Sequence, residues 1–130
     1  MEVPYLSVVI PAYKEGERIG RNLLEIDKYL KSKNYTYEII VVEDGSPDNT
    51  AEVARNYALQ IPHLRVVDNA ENHGKGYVVR QGLLEAKGKY RVFLDADDAA
   101  IAEAVAAAKL DVLQLHGAET PQRCAAFRAR

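Results

Sequence analysis

The chain is poor in the features that mark a special environment. It holds one cysteine, Cys124, so no internal disulfide can form, which fits a reducing compartment. Its apolar runs are strand-sized, far short of the roughly 20 residues that cross a bilayer. Met1-Glu-Val-Pro4 lacks a basic segment followed by an apolar stretch, so no secretory signal is expected. Net charge is only −2, which gives no basic field to draw in nucleic acid or anionic lipid. No stripe of interleaved basic and aromatic residues suggests single-strand binding. There is no internal repeat and no linker. The expectation is a cytoplasmic, soluble protein with no nucleic-acid or membrane partner, a monomer or at most a weak dimer. At 130 residues, 48% hydrophobic and 28% charged, it has room for a single α/β domain over 1–130.

What is present is a regular alternation. Leu6-Ser-Val-Val-Ile10 is a β-branched run that Pro11 is expected to end, and Ile19, Leu23, Ile26 and Leu30 then recur at helical spacing. Glu38-Ile-Ile-Val-Val42 is apolar on consecutive residues, the pattern of a strand covered on both faces. Asn49 and Glu52 can form a capping box for a helix that Pro62 stops. Leu64-Arg-Val-Val67 is a third strand. Asn72-His-Gly-Lys-Gly76 opens another helix, with Gly88 placed for a left-handed cap. Arg91–Leu94 is a fourth strand and runs into Asp95, Asp97 and Asp98. An alanine-rich helix, a fifth strand over 111–115 and a last helix from Thr120-Pro121 follow. Strands alternating with helices predict a Rossmann-like three-layer sandwich whose five-stranded parallel sheet has the order 3-2-1-4-5.

Ligands in such sheets bind beyond the carboxyl ends of the strands, where the order reverses. Pro11–Glu15, Glu43-Asp44 and Asp95–Asp97 fall there. An Asp-x-Asp pair at a strand end suits a divalent metal that offsets the charge of a diphosphate, although strands ending in acids are common and Asp98 can simply cap the next helix. Asp44 can accept hydrogen bonds from a base or ribose, or support the Gly45 turn. Lys75 between two glycines can meet phosphate, or be an ordinary exposed lysine. The glycines at 74, 76 and 82 do not follow the dinucleotide fingerprint.

Ser7-Val-Val-Ile-Pro-Ala-Tyr-Lys-Glu15, Glu38–Thr50, Asn72–Gly76 and Phe93-Leu-Asp-Ala-Asp97 together, in that order and spacing, resemble the nucleotide-sugar half of family 2 glycosyltransferases. The likeness is to the dolichyl-phosphate mannosyl- and glucosyltransferases, over about the first 98 residues. It implies a GT-A fold with Pro11, Tyr13, Glu15 and Asp44 lining the nucleotide pocket and Asp95 at the diphosphate; Lys75, from its own glycine loop, is the further candidate for the nucleotide. It also implies Mg²⁺ or Mn²⁺ at Asp95 and Asp97, with no metal required for folding. The partner would be a nucleoside diphosphate or nucleotide-sugar.

After Asp98 the likeness changes. Leu110-Asp-Val-Leu-Gln-Leu-His-Gly-Ala-Glu-Thr-Pro121 resembles part of phosphoribosylanthranilate isomerase, a TIM barrel. Neither parent's catalytic machinery is complete; His116 reads as structural and Cys124 as a small apolar residue. The two likenesses imply a chimera joined near residues 91–100, an engineered or recombinant product without turnover that keeps a vestigial metal-dependent nucleoside-diphosphate site. The alternative is a truncated family 2 glycosyltransferase that binds nucleotide-sugar and divalent metal.

Overall fold

A computed structural model describes residues 3–94 of the chain. The elements run β1 (Leu6–Ala12), α1 (Ile19–Lys31), β2 (Tyr37–Asp44), α2 (Thr50–Ala58), β3 (Leu64–Asn69), α3 (Lys75–Glu85) and β4 (Tyr90–Phe93). All neighbouring strands are parallel, in the order β3-β2-β1-β4. This is the Rossmann-like α/β arrangement, with the order reversing between β1 and β4. The expected fifth strand at 111–115, like the helices expected on either side of it, lies outside the described residues. Where five strands in order 3-2-1-4-5 are expected, the described residues form four in order 3-2-1-4.

Helices cover both sheet faces. Ile19, Leu23, Ile26 and Leu30 of α1 are fully buried and pack, with Ala54 of α2, on the face carrying Val8, Ile10, Ile39 and Val41. Each such side chain contributes about 1.5–3 kcal/mol as an upper estimate. The opposite face carries Val9, Ile40, Val42 and Phe93 under Val78 and Ala86 from α3 and its end. Gly82 lets α3 approach closely, since a Cβ there would stand 2.3 Å from a Val9 methyl and 2.9 Å from a Val42 methyl. Coverage on both sides explains why every residue of β2 is buried.

Three local expectations are corrected. Pro11 does not end β1, which continues to Ala12 with Pro11 opposite Val42. Tyr5 and Val9 offer their carbonyls to Tyr90 and Leu94, so alternation turns the missing N–H of Pro11 to the β4 side, past Phe93, where no described strand residue needs it. The capping box does not form, and Asn49 makes no side-chain cap bond. Asp48 serves instead, its Oδ1 accepting the Thr50 N–H at 3.1 Å and the Thr50 hydroxyl at 2.5 Å, while Oδ2 accepts the Gly16 N–H at 3.4 Å. Those bonds, the Thr50 hydroxyl first, hold the Asp48 carboxyl below its ordinary range. Gly88 is not left-handed, since positive φ among the glycines is confined to Gly45 and Gly74. It is a site of close approach, where a Cβ would lie 2.4 Å from Ser7 Oγ.

That contact belongs to a clasp at the amino edge of the sheet. The Gly88 N–H donates to Ser7 Oγ at 2.8 Å, and the Ser7 hydroxyl donates to Glu38 Oε2 at 2.6 Å. Glu38 also accepts the Lys87 N–H at 2.7 Å and faces Arg65 Nη2 at 3.2 Å. Arg65 donates onward to the Glu85 carbonyl at 2.8 Å. Burial pushes the Glu38 pKa up, but Ser7, Lys87 and Arg65 together outweigh it and hold it below the ordinary value.

Candidate functional site

The opposite, carboxyl edge of the sheet gathers the ends of β1, β2 and β4. Glu43 and Asp44 close β2, and strand alternation sends them to opposite faces. Both are buried, at 1% and 3% exposure. Glu43 turns toward the loop that follows: Oε1 accepts the Gly45 N–H at 3.1 Å, and Oε2 accepts the Ser46 N–H at 2.9 Å together with the Ser46 hydroxyl. Asp44 turns toward the start of α3. Its Oδ1 accepts the His73 N–H at 2.8 Å, and its Oδ2 accepts the Gly74 N–H and Asn72 Nδ2, each at 3.0 Å. Gly45, at φ +72°, lies so close to the Glu71–Asn72 backbone that a Cβ would stand 2.5 Å from the Glu71 carbonyl carbon.

The β1 end is held to the same turn. The Lys14 N–H donates to Ser46 Oγ at 2.9 Å, and the Glu15 N–H donates to Thr50 Oγ1 at 2.9 Å. The Glu15 carbonyl accepts the Ile19 N–H at 2.8 Å and so starts α1. The Glu15 carboxylate, little exposed, pairs with Arg18 at 2.5 Å. Tyr13 stays 40% exposed, with Lys14 Nζ 5.2 Å from its ring centroid. Lys14 itself sits at φ +56°, the only non-glycine at positive φ among the described residues.

Of the residues singled out in the sequence, Pro11 is buried in β1, Tyr13 and Glu15 lie on the loop that follows it, and Asp44 is the last residue of β2. Lys75 is the exposed first residue of α3, next to Gly74 at φ +93°. Asp95 and Asp97 lie outside the described residues; the N–H of Leu94 donates to the Val9 carbonyl at 2.9 Å. The Gly45 turn is supported by Glu43, not by Asp44, which clasps the 72–74 loop. The sequence alone assigns no role to Glu43, Ser46, Asn72 or Lys14, although Glu43 and Lys14 fall in the segments expected at the strand ends. The acid two and three residues before Gly45-Ser46 was the available signal for the first two.

Among the described residues no group of three or more His, Cys, Asp or Glu is arranged to hold a metal. Glu43 and Asp44 direct their carboxylate oxygens to hydrogen-bond donors of the 45–46 turn and the 72–74 loop. The described rim supplies an aromatic face at Tyr13, a cation at Lys14, a buried carboxylate at Asp44 and the amino end of α3. Such groups together suit a ligand with a flat ring, hydroxyls and phosphate.

Comparison with known proteins agrees. Residues 7–108 match the model of glycosyl transferase family 2. The dolichyl-phosphate beta-glucosyltransferase of Drosophila melanogaster is 45% identical over 101 residues, covering 72% of this chain and 31% of that protein. The chain thus spans about three-tenths of the length of the curated relatives it matches. The solved mannosyltransferase PcManGT from Pyrobaculum calidifontis, in complex with GDP-Man and Mn²⁺, superposes with a TM-score of 0.63 at 29% identity, over 81% of this chain and 32% of that one. Glucosyl-3-phosphoglycerate synthase from Mycobacterium tuberculosis, in complex with Mg²⁺ and UDP, gives 0.56 at 28% identity, over 72% and 34%. These likenesses support the GT-A form of the parallel α/β fold. The family match crosses the joint expected near residues 91–100 and continues into the stretch read as isomerase-like, so the chimera reading gains no support. By that match over residues 7–108, the chain belongs to glycosyl transferase family 2.

Proposed function

We propose that this chain forms the donor side of a glycosyltransferase and binds a nucleoside diphosphate or nucleotide-sugar together with a divalent cation. The partial-transferase reading replaces the chimera reading. The observation that carries it is the convergence of the β1 and β2 ends, the start of α3 and the β4 end at one sheet edge, in the family whose motifs they hold. On this reading Tyr13 offers its exposed ring to the base, and Pro11 and Glu15 shape the wall behind it. Asp44 accepts a hydrogen bond from base or ribose, and Lys75 approaches phosphate at the amino end of α3. Asp95 and Asp97 hold Mg²⁺ or Mn²⁺, which when bound offsets the diphosphate charge. The relatives' names point to glucose as the sugar and dolichyl phosphate as the acceptor class.

Titration calorimetry of the whole chain with UDP and GDP, with and without Mn²⁺, tests this. Metal-dependent heat that Asp97→Ala abolishes is the expected result. Absence of binding at millimolar nucleotide with Mn²⁺ present would overturn the reading.

A further inference from the structure

The backbone at Lys14 is the least ordinary in the described chain. A left-handed conformation costs an L-residue roughly 1–2 kcal/mol, and lysine lacks the short polar side chain by which asparagine offsets that cost. Lys14 is nonetheless held there, by its own N–H to Ser46 Oγ and by the Glu15 N–H to Thr50 one residue on. Ser46 is in turn fixed by Glu43 through both its N–H and its hydroxyl. The strain is thus imposed by a clasp between the first two strand ends, and it sets where the Lys14 side chain leaves the loop.

The ammonium group rests over the Tyr13 ring and makes no ion pair with any described residue. The other cation of this loop, Arg18, is committed to Glu15. Glu43 and Asp44 add two buried carboxylates at the end of β2, beside this loop. A diphosphate entering the crevice needs positive charge from the protein as well as from any metal.

We propose that Lys14 is a phosphate-reading residue of the donor site, held in left-handed backbone so that its ammonium can leave the Tyr13 ring and pair with the donor's diphosphate. The inference rests on the donor-binding reading and adds to it a cation and a specificity for phosphate over the bare nucleoside. A nucleoside lacks the partner and gains nothing from Lys14.

The test uses the whole chain and four probes, UDP, GDP, uridine and guanosine, with Mn²⁺ present. Lys14→Asn keeps a residue suited to the left-handed region and removes the charge. It should weaken the binding nucleoside diphosphate about tenfold and leave its nucleoside unchanged, with Lys14→Arg restoring most of the loss. Lys14→Gly should raise the melting temperature by relieving the strain, yet bind diphosphate as weakly as Lys14→Asn. A residue serving only the loop's shape would change stability without separating diphosphate from nucleoside. Equal diphosphate affinity in the wild type and Lys14→Asn would overturn the inference while leaving donor binding intact. No diphosphate binding by the wild type would overturn both.

Discussion

At the carboxyl edge, single residues set the site by what they lack as much as by what they carry. Gly45 is required twice, for its φ of +72° and for the 2.5 Å that separates a built Cβ from the Glu71 backbone. Gly45→Ala should therefore cost about 2–4 kcal/mol in urea unfolding, and should raise amide exchange at His73 and Gly74 as the Asp44 clasp is pushed away. The sequence announces this turn through Asp-Gly-Ser, but it does not announce which acid supports it. Glu43 and Asp44 are neighbours of similar chemistry, and only the alternation of β2 decides that one closes the turn and the other reaches the 72–74 loop. Lys14 was equally hidden. Nothing in a side-chain pattern reports a positive φ at a lysine.

The helices and strands were the most legible scale. The four apolar residues of α1 and the unbroken apolar run of β2 name their own faces, and the structure buries both sets completely. Element ends were less legible, because they depend on partners distant in sequence. Pro11 stays in β1 because of where β4 stops pairing, and the α2 cap passes to Asp48 because Gly16 brings a second donor to it. The seat of α3 depends on a gap at Gly82. Gly82→Ala should destabilise the chain by about 1–3 kcal/mol through contact with Val9 and Val42. Adding Val9→Ala should recover part of that loss, and denaturant melts of the single and double variants would show non-additivity. Strictly additive melts would mean that α3 does not rest on Val9.

For the molecule as a whole, the amino-edge clasp joins the strands that the crevice edge depends on. Glu38 ties β1, β2 and β3 to the turn before β4 through Ser7, Arg65 and the Lys87 N–H. Its folded pKa is depressed, so its contribution is complete above the unfolded value near 4.5 and is lost as pH falls through the lower folded value. Glu38→Gln should cost about 2 kcal/mol at neutral pH and flatten the acid limb of the stability profile below that value. An acid limb unchanged in slope would assign the loss to other carboxylates. The order of the first four strands followed from the alternation of elements, and four short motifs disclosed the family. The second likeness, over residues 98–130, led toward a joint that the family match passes straight through.

The Asp44 clasp also fixes how much of that carboxylate a ligand could use. Two carboxylate oxygens offer about four lone-pair directions. Asn72 and Gly74 occupy both on Oδ2, and His73 occupies one on Oδ1. One acceptor position remains. At that position Asp44 can recognise a single donor, one hydroxyl or one ring N–H, and a ligand presenting two would have to open the 72–74 loop to be read.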